Sequence, residues 1–300
     1  MGRLVWTGNI CFDMRDWKKE SFRAVFAGTG CVMALTDDGR VLQKITDPKM
    51  AARTEYWTRI RQVSLSRWAE GLAIGLVSDG TCLIAKRPAR YLTDPRNFSG
   101  AVPFDRVNET VRGWKGIVQV AASDAFFALD TSGNVHCAPL SGDSLRSCRA
   151  VESWRNVARI VTGTQCSVFG VTKDGQVLCA GANAERAHPE LSGLSGVTDI
   201  APTGSECEQV IAAFEDGSVR DTRTKELLFT VSPSRAAEGK KILDAHFGYM
   251  VLAQRSDTEL YRLAGRPEDC EPVFREKGRI VSFSVGDCSY SDPFVVAVVE

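Results

Sequence analysis

Ten cysteines and three histidines are the most reactive side chains of this 300-residue chain, and their spacing decides which chemistry is open to them. A zinc site needs ligands in close local pairs, Cys-x-x-Cys or two histidines three to five residues apart. No such pair occurs. Instead Cys31, Cys166 and Cys207 each stand three residues after a glycine (Gly28, Gly163, Gly204), Cys288 stands close behind Gly286, and Cys137 and Cys179 stand four residues after Gly133 and Gly175. A cysteine at a fixed offset from a glycine reads as a small buried packing residue. A ring of thiols around a soft metal is the competing reading. His136, His188 and His246 are far apart in sequence, and there is no Gly-x-Ser-x-Gly elbow, phosphate-binding loop or His-Glu-x-x-His. No catalytic residue, metal site or cofactor is predicted. A hydrolase or lyase that gathers distant residues in a channel is the enzymatic alternative.

The elements that would position such residues repeat along the chain. Polar-Gly pairs at Asp38-Gly39, Asp79-Gly80, Ser132-Gly133, Asp174-Gly175 and Asp216-Gly217 are flanked by short apolar runs, with successive glycines 41, 53, 42 and 42 residues apart. Asp-Gly between two apolar runs is a strong hairpin signal, because glycine tolerates the positive φ of the tight turn. Tryptophans lead four of the units: Trp17, Trp57, Trp114 and Trp154. A degraded copy runs from Lys241 to Tyr261 with Thr258 in the glycine's place, and a last half-copy runs from Gly278 through Phe294-Val-Val-Ala-Val-Val. Gly2-Arg3-Leu4-Val5-Trp6 resembles the strand that should follow a turn. A strand repeat with a period in the forties predicts a propeller, solenoid or array, since one small sheet cannot bury its own faces. The expected units lie near 17–45, 57–87, 114–140, 154–183, 194–223, 239–265 and 277–300 plus 1–9, all within a single domain 1–300. Residues 88–112 form an inserted loop that lengthens one spacing.

Gly28-Thr-Gly-Cys-Val-Met-Ala-Leu-Thr-Asp-Asp-Gly-Arg-Val-Leu and Gly163-Thr-Gln-Cys-Ser-Val-Phe-Gly-Val-Thr-Lys-Asp-Gly-Gln-Val-Leu resemble repeats of the regulator of chromosome condensation family. The resemblance covers essentially the whole chain and implies an all-β fold, a seven-bladed β-propeller whose ring closes by pairing the N-terminal strand with the C-terminal blade. Departures are plain: the family's Trp-Gly-x-Asn repeat end survives only as Ala180-Gly181-Ala182-Asn183 and Trp6-Thr7-Gly8-Asn9, and the family's histidine is missing from every unit. The period is also that of WD repeats, but their Gly-His and Trp-Asp dipeptides are absent. The resemblance implies a non-catalytic protein-binding propeller, a scaffold, regulator or enzyme inhibitor. Guanine-nucleotide exchange on a small GTPase, the activity of the family's founding member, is an alternative.

Charge narrows the partner. Lys plus Arg equals Asp plus Glu at 37 each, with no basic tail, whereas nucleic-acid binding needs a positive surface to displace counterions. The expected partner is another protein. No signal-peptide pattern and no bilayer-length apolar run is read, so no membrane is expected and the expected location is cytoplasmic. Binding is expected through loops that precede each inner apolar run, together with the insertion, and the candidate contacts are Trp68, Glu70, Asp124, Phe126, Glu206, Tyr249, Asp287 and Tyr290, with Tyr91 and Phe98 from 88–112. The competing reading is that half of these aromatics cap the core.

Overall fold

The computed structural model describes residues 2–47, 51–66, 72–85, 102–163, 167–181, 184, 189–204, 207, 209–237, 240–246, 250–288 and 293–300. The fold is mostly strand. Among these residues the strands form seven small antiparallel sheets, and only β1 (Arg3–Gly8) waits for a partner from the other end of the chain. Sheet 1 is β2 (Phe22–Gly28), β3 (Cys31–Thr36) and β4 (Val41–Ile45); sheet 2 is β5 (Ile60–Leu65), β6 (Ala73–Val77) and β7 (Cys82–Ile84). Sheet 3 is β8 (Ile117–Ala122), β9 (Ala125–Asp130) and β10 (Val135–Pro139); sheet 4 is β11 (Val157–Thr162), β12 (Val168–Thr172) and β13 (Val177–Ala180). Sheet 5 runs β14 (Val197–Thr203), β15 (Gln209–Phe214), β16 (Ser218–Asp221), β17 (Leu227–Thr230). Sheet 6 runs β18 (Leu243–His246), β19 (Met250–Ser256), β20 (Glu259–Arg262), β21 (Glu271–Arg275). Sheet 7 is β22 (Ile280–Asp287), β23 (Pro293–Val299) and β1, with Arg3 opposite Val299 and Gly8 opposite Phe294.

The continuous apolar runs follow from how these sheets stack. β3 is buried along its whole length because it has two dry faces: Met33 and Leu35 pack toward sheet 2, Val32 and Ala34 toward sheet 7. A core of this kind fills the gap between each consecutive pair of sheets, and another joins sheet 7 to sheet 1 through Phe294, Val296 and Val298 against Phe22 and Val25. The four leading tryptophans are all buried in these gaps. Gly75 and Gly170 explain two of them, since a Cβ there would meet Cζ3 of Trp57 at 2.8 Å and of Trp154 at 3.0 Å. β1 adds to two gaps at once, with Leu4 and Trp6 packed toward sheet 1 and Val5 toward sheet 6.

The turn glycines also dock neighbouring sheets. Gly175 has φ +74, and a Cβ there would lie 2.5 Å from the nitrogen of Gly196, the residue that leads into sheet 5. The close approach lets Val197 N donate to Gly175 O at 3.0 Å across the junction, while within sheet 5 Glu215 N donates to Gly196 O at 2.9 Å. Gly133 and Asn156 repeat the arrangement one gap earlier, with Val157 N donating to Gly133 O at 3.0 Å. The described part of the insertion is not loop alone: α1 (Phe104–Arg112) packs on β7 and buries Val107 and Val111 in the gap between sheets 2 and 3. α2 (Leu145–Val151) covers β10, and α3 (Pro233–Ala237) leads into sheet 6.

The cysteines divide in two. Cys31, Cys82 and Cys207 are buried thiols, as their offsets from glycine implied for Cys31 and Cys207, and burial pushes the Cys82 thiol up to about 12. Cys11–Cys288 and Cys137–Cys148 are disulfides, which corrects the packing reading for Cys137 and Cys288. Cys11 and Cys288 are 277 residues apart in sequence but 5.8 Å apart at Cα, because β1 brings the N-terminal segment to the edge of sheet 7. No local spacing announces such a pair.

Candidate functional site

Six of the seven inner strands, all but β18, carry a bulge near their start, and the residue after the bulge points toward the next sheet. These positions hold Ala24, Gln62, Gln119, Arg159, Asp199 and Ser282, with Asp244 making the same cross-link from β18. A bulge re-aims a side chain, and here it re-aims one across six of the seven gaps, Asp244 crossing the remaining one from an unbulged strand. Gln62 grips Val120 with both ends of its amide, receiving its N–H at 3.0 Å and donating to its carbonyl at 3.2 Å. Gln119 does the same to Ile160, at 2.9 and 2.8 Å. Arg159 cannot accept from a backbone N–H, and it pairs instead with the carboxylate of Asp199 at 2.8 Å. Asp199 is fully buried and accepts from Ile242 N at 2.7 Å and Leu243 N at 2.9 Å with its other oxygen. Asp244 accepts from Val285 N and Ser284 Oγ, both at 3.0 Å. Ser282 Oγ accepts from Val25 N at 3.1 Å, and Ser284 Oγ from Ala27 N at 3.0 Å. Where Ala24 lacks a polar group, the neighbouring Arg23 guanidinium donates to Ile60 O. Every gap is thus crossed by a side-chain bond.

Gln62, Gln119, Arg159, Asp244 and Ser284 line a channel of about 170 Å3 that all seven inner strands border, widening at one mouth to about 780 Å3. The charged groups lining the channel are Arg159, Lys241 and Asp244, with Asp199 buried behind Arg159. Lys241 lines the channel, yet protein surrounds it, and that desolvation holds its ammonium pKa below the ordinary value although Asp244 lies 3.1 Å away. The acids and amides are engaged with the next sheet. A general base must present an atom to the substrate, and these present theirs to backbone N–H groups. Among the described residues no group of three potential metal ligands assembles.

The loop-face residues fare differently. Phe126 is fully buried in the gap between sheets 2 and 3, and Asp287 is fully buried beside the bridge that pairs its backbone with Thr29. Both turn inward because each stands within a strand rather than at a loop tip, so neither is open to a partner. Asp124 is half-buried at the tip between β8 and β9, its carbonyl accepting from Leu140 N at 3.3 Å. Trp68, Glu70, Tyr91, Phe98, Glu206, Tyr249 and Tyr290 lie outside the described residues. The polar residues after the bulges escaped the sequence reading, although Ile117-Val-Gln119-Val and Val197-Thr-Asp199-Ile both place a polar residue third in the run.

No family model matches the chain, and no curated protein matches it. Solved structures do match. Prp20p of Saccharomyces cerevisiae, studied for its binding to Gsp1p and histones, superposes with TM-score 0.61 at 13% identity, over 99% of this chain and 91% of that one. The fold is that of an RCC1-like β-propeller. Human WBSCR16 is similar at TM-score 0.59 and 13% identity, over 94% of this chain and 88% of its own. Yeast RCC1 (Prp20) bound to Kap60 is similar at TM-score 0.55 and 13% identity, over 92% of this chain and 80% of that one. At such identity the likeness describes the propeller and not its activity. Among the described residues no helix of this propeller is long and apolar enough to cross a membrane.

Proposed function

We propose that the chain is one domain, a seven-bladed propeller closed by β1 in its last blade, and that it works without catalysis as a protein-binding ring. The observation that carries the non-catalytic reading is the engagement of the channel groups: Gln62, Gln119, Arg159, Asp199 and Asp244 are held by the neighbouring blade. Solvated loops are where a rigid scaffold of this kind presents contacts. We assign the docking face to the tips that join the first and second strands of the blades, with Trp68, Glu70, Asp124, Glu206, Tyr249 and Tyr290 as contacts and Tyr91 and Phe98 supplied by the insertion. Prp20p, with the same fold, was studied for its binding to Gsp1p and histones; the balanced charge of this chain points to a protein rather than to nucleic acid.

The test is quantitative affinity isolation from the source cell with the native chain and with Trp68→Ala combined with Tyr249→Ala. The expected result is a protein retained by the native chain and reduced at least tenfold by the double variant, with the thermal midpoint of the chain within a few degrees of native. Equal retention by both overturns the face assignment. Cytoplasmic residence would require Cys11, Cys288, Cys137 and Cys148 to be kept as thiols, since disulfides persist in oxidising compartments. Alkylation of thiols at the moment of lysis decides it: four additional modified cysteines place the chain in the cytoplasm, and four protected ones place it in an oxidising compartment.

A further inference from the structure

The two disulfides differ in how a reductant meets them. Cys11 is exposed and Cys288 half-buried, whereas Cys137 is half-buried and Cys148 is buried in the gap between sheets 3 and 4. Thiol–disulfide exchange needs an incoming thiolate to reach a sulfur, and Cys11 is the most open residue of the four. The sulfur that would leave is prepared as well. Cys11 N donates to Cys288 Sγ at 2.9 Å, and Asn9 O lies 3.0 Å from the same atom. As the bond is cut, the N–H stabilises Cys288 as a thiolate, and the carbonyl can accept from the thiol once it is protonated. A better-stabilised thiolate leaves faster. Among the described residues no backbone group is bonded to either sulfur of Cys137–Cys148.

The clasp holds a segment that little else keeps in place. Among the described residues the other hydrogen bonds of residues 9–13 are local, from Ile10 N to Gly8 O at 3.2 Å and from Arg15 N to Asp13 Oδ1 at 2.9 Å. Ile10 and Phe12 are its partly buried side chains, and the Phe12 ring meets the fully buried Phe294 ring edge-on at 5.9 Å. The next firm anchor is Met14, which is buried. On the other side of the bond, Cys288 follows Asp287, whose carbonyl accepts from Gly30 N at 2.6 Å where sheet 7 meets sheet 1. β1 is held differently, by its register of pairs with β23 and by Leu4, Val5 and Trp6 in two cores. The disulfide therefore governs the segment that follows β1 more than the strand itself.

We propose that Cys11–Cys288 is a redox switch, opened by a dithiol reductant while Cys137–Cys148 stays closed. One thiolate of the dithiol attacks Cys11 Sγ to form a mixed disulfide, and Cys288 leaves as a thiolate that takes up a proton. The second thiol of the reductant then displaces Cys11, so the dithiol ends as a cyclic disulfide and the chain gains two thiols, a two-electron reduction. In the oxidised chain residues 9–13 are clamped over Phe294. In the reduced chain Ile10 and Phe12 alone hold them, and the apolar surface at Phe294 opens to solvent. The switch stands apart from the protein-binding reading: it belongs to the chain by itself and is read without a partner.

The experiment uses the full oxidised chain, without denaturant, and dithiothreitol as the dithiol. Samples are alkylated at intervals, and mass spectrometry reads each cysteine. Cys11 and Cys288 should become modified at least tenfold faster than Cys137 and Cys148. The chain opened at the clasp alone, alkylated and freed of reductant, should be cut by trypsin after Arg15 at least fivefold faster than the oxidised chain, with cleavage after Arg112 in α1 unchanged. A chain carrying Cys137→Ser and Cys148→Ser isolates the clasp and should show the same acceleration after Arg15 when reduced. Equal rates at the two disulfides, the reverse order, or unchanged cleavage after Arg15 overturns the proposal. Equal acceleration after Arg112 overturns it too, since reduction would then loosen the whole chain rather than one segment.

Discussion

The junction between sheets 4 and 5 and the seam where sheet 7 meets sheets 6 and 1 solve one packing problem with different chemistry. At the first, a turn glycine meets a left-handed residue of the next sheet: Gly175 docks on Gly196, and Arg159 locks to Asp199 across the gap. At the seam the turn glycine is gone. Thr258 occupies its place, and Ile280 N donates to Asp257 O at 2.6 Å. On the other side of sheet 7, Ser282 and Ser284 bind sheet 1 and Phe22 N donates to Gly2 O at 2.8 Å; β1 also reaches back to sheet 6, where Arg3 pairs with Glu276 at 2.5 Å, and Cys11 is bonded to Cys288. A junction between neighbours in sequence forms from short-range contacts repeated unit by unit. A junction between the two ends of the chain must overcome about 2 kcal/mol more loop entropy, and it carries the strand exchange and the covalent clasp.

If the seam is the energetically distinct region, the largest effect belongs to its removal. Deleting residues 1–8 strips Leu4, Val5 and Trp6 and the β1 ladder from β23, and should cost on the order of 5 kcal/mol from lost burial and unpaired backbone. Thermal unfolding should show the midpoint falling by 10 °C or more, and an unchanged midpoint breaks the comparison. Next comes the interior junction: Trp57→Ala empties the space under Gly75 and should lose about 3–5 kcal/mol in urea unfolding. A loss under 1 kcal/mol would mean the tryptophans do not lead the units energetically. Cys11→Ser should lower stability by about 2–4 kcal/mol under oxidising conditions, with native and variant chains converging when reductant is added to both. A difference that survives reduction would place the effect in packing rather than in the clasp.

The smallest effect separates the regions by pH. Hydrogen bonds from Thr36 and Arg40 bring the Asp38 carboxyl down to about 2, and Asp79, Asp174 and Asp216 are lowered by bonds from Thr81, Thr172 and Ser218 in their own turns. A carboxyl depressed in the folded state contributes stability above its unfolded value of about 3.8 and loses it as pH falls through the folded value. Relative to the intrinsic exchange rate at each pH, hydrogen exchange between pH 4 and pH 2 should therefore quicken first in the turns of sheets 1, 2, 4 and 5. Simultaneous quickening at the β1–β23 ladder would erase the distinction.

Much of this was legible in the sequence. The Asp-Gly turns, the tryptophans that lead four of the units and the resemblance of Gly2-Arg3-Leu4-Val5-Trp6 to a returning strand are local patterns, and the turns and the returning strand correspond to observed hairpins and to β1, while only the structure shows the tryptophans buried. Phe126 was misplaced because a loop aromatic and the first core residue of a strand look alike when one position separates them. The cross-gap bonds of Gln119 and Asp199 were present as residue types, but their partners lie about forty positions away, so only the bulge geometry reveals their aim.

The sequence by itself determined the unit: a turn that needs glycine, an apolar run that needs two dry faces, and a period that repeats both. Tertiary structure alone decided what the units do to one another. It paired Cys11 with Cys288 and turned polar residues of the inner runs toward the neighbouring sheet. The reason is range: a turn or an alternation is satisfied within a few residues, whereas a gap between sheets is filled by side chains that only the stacking brings within reach.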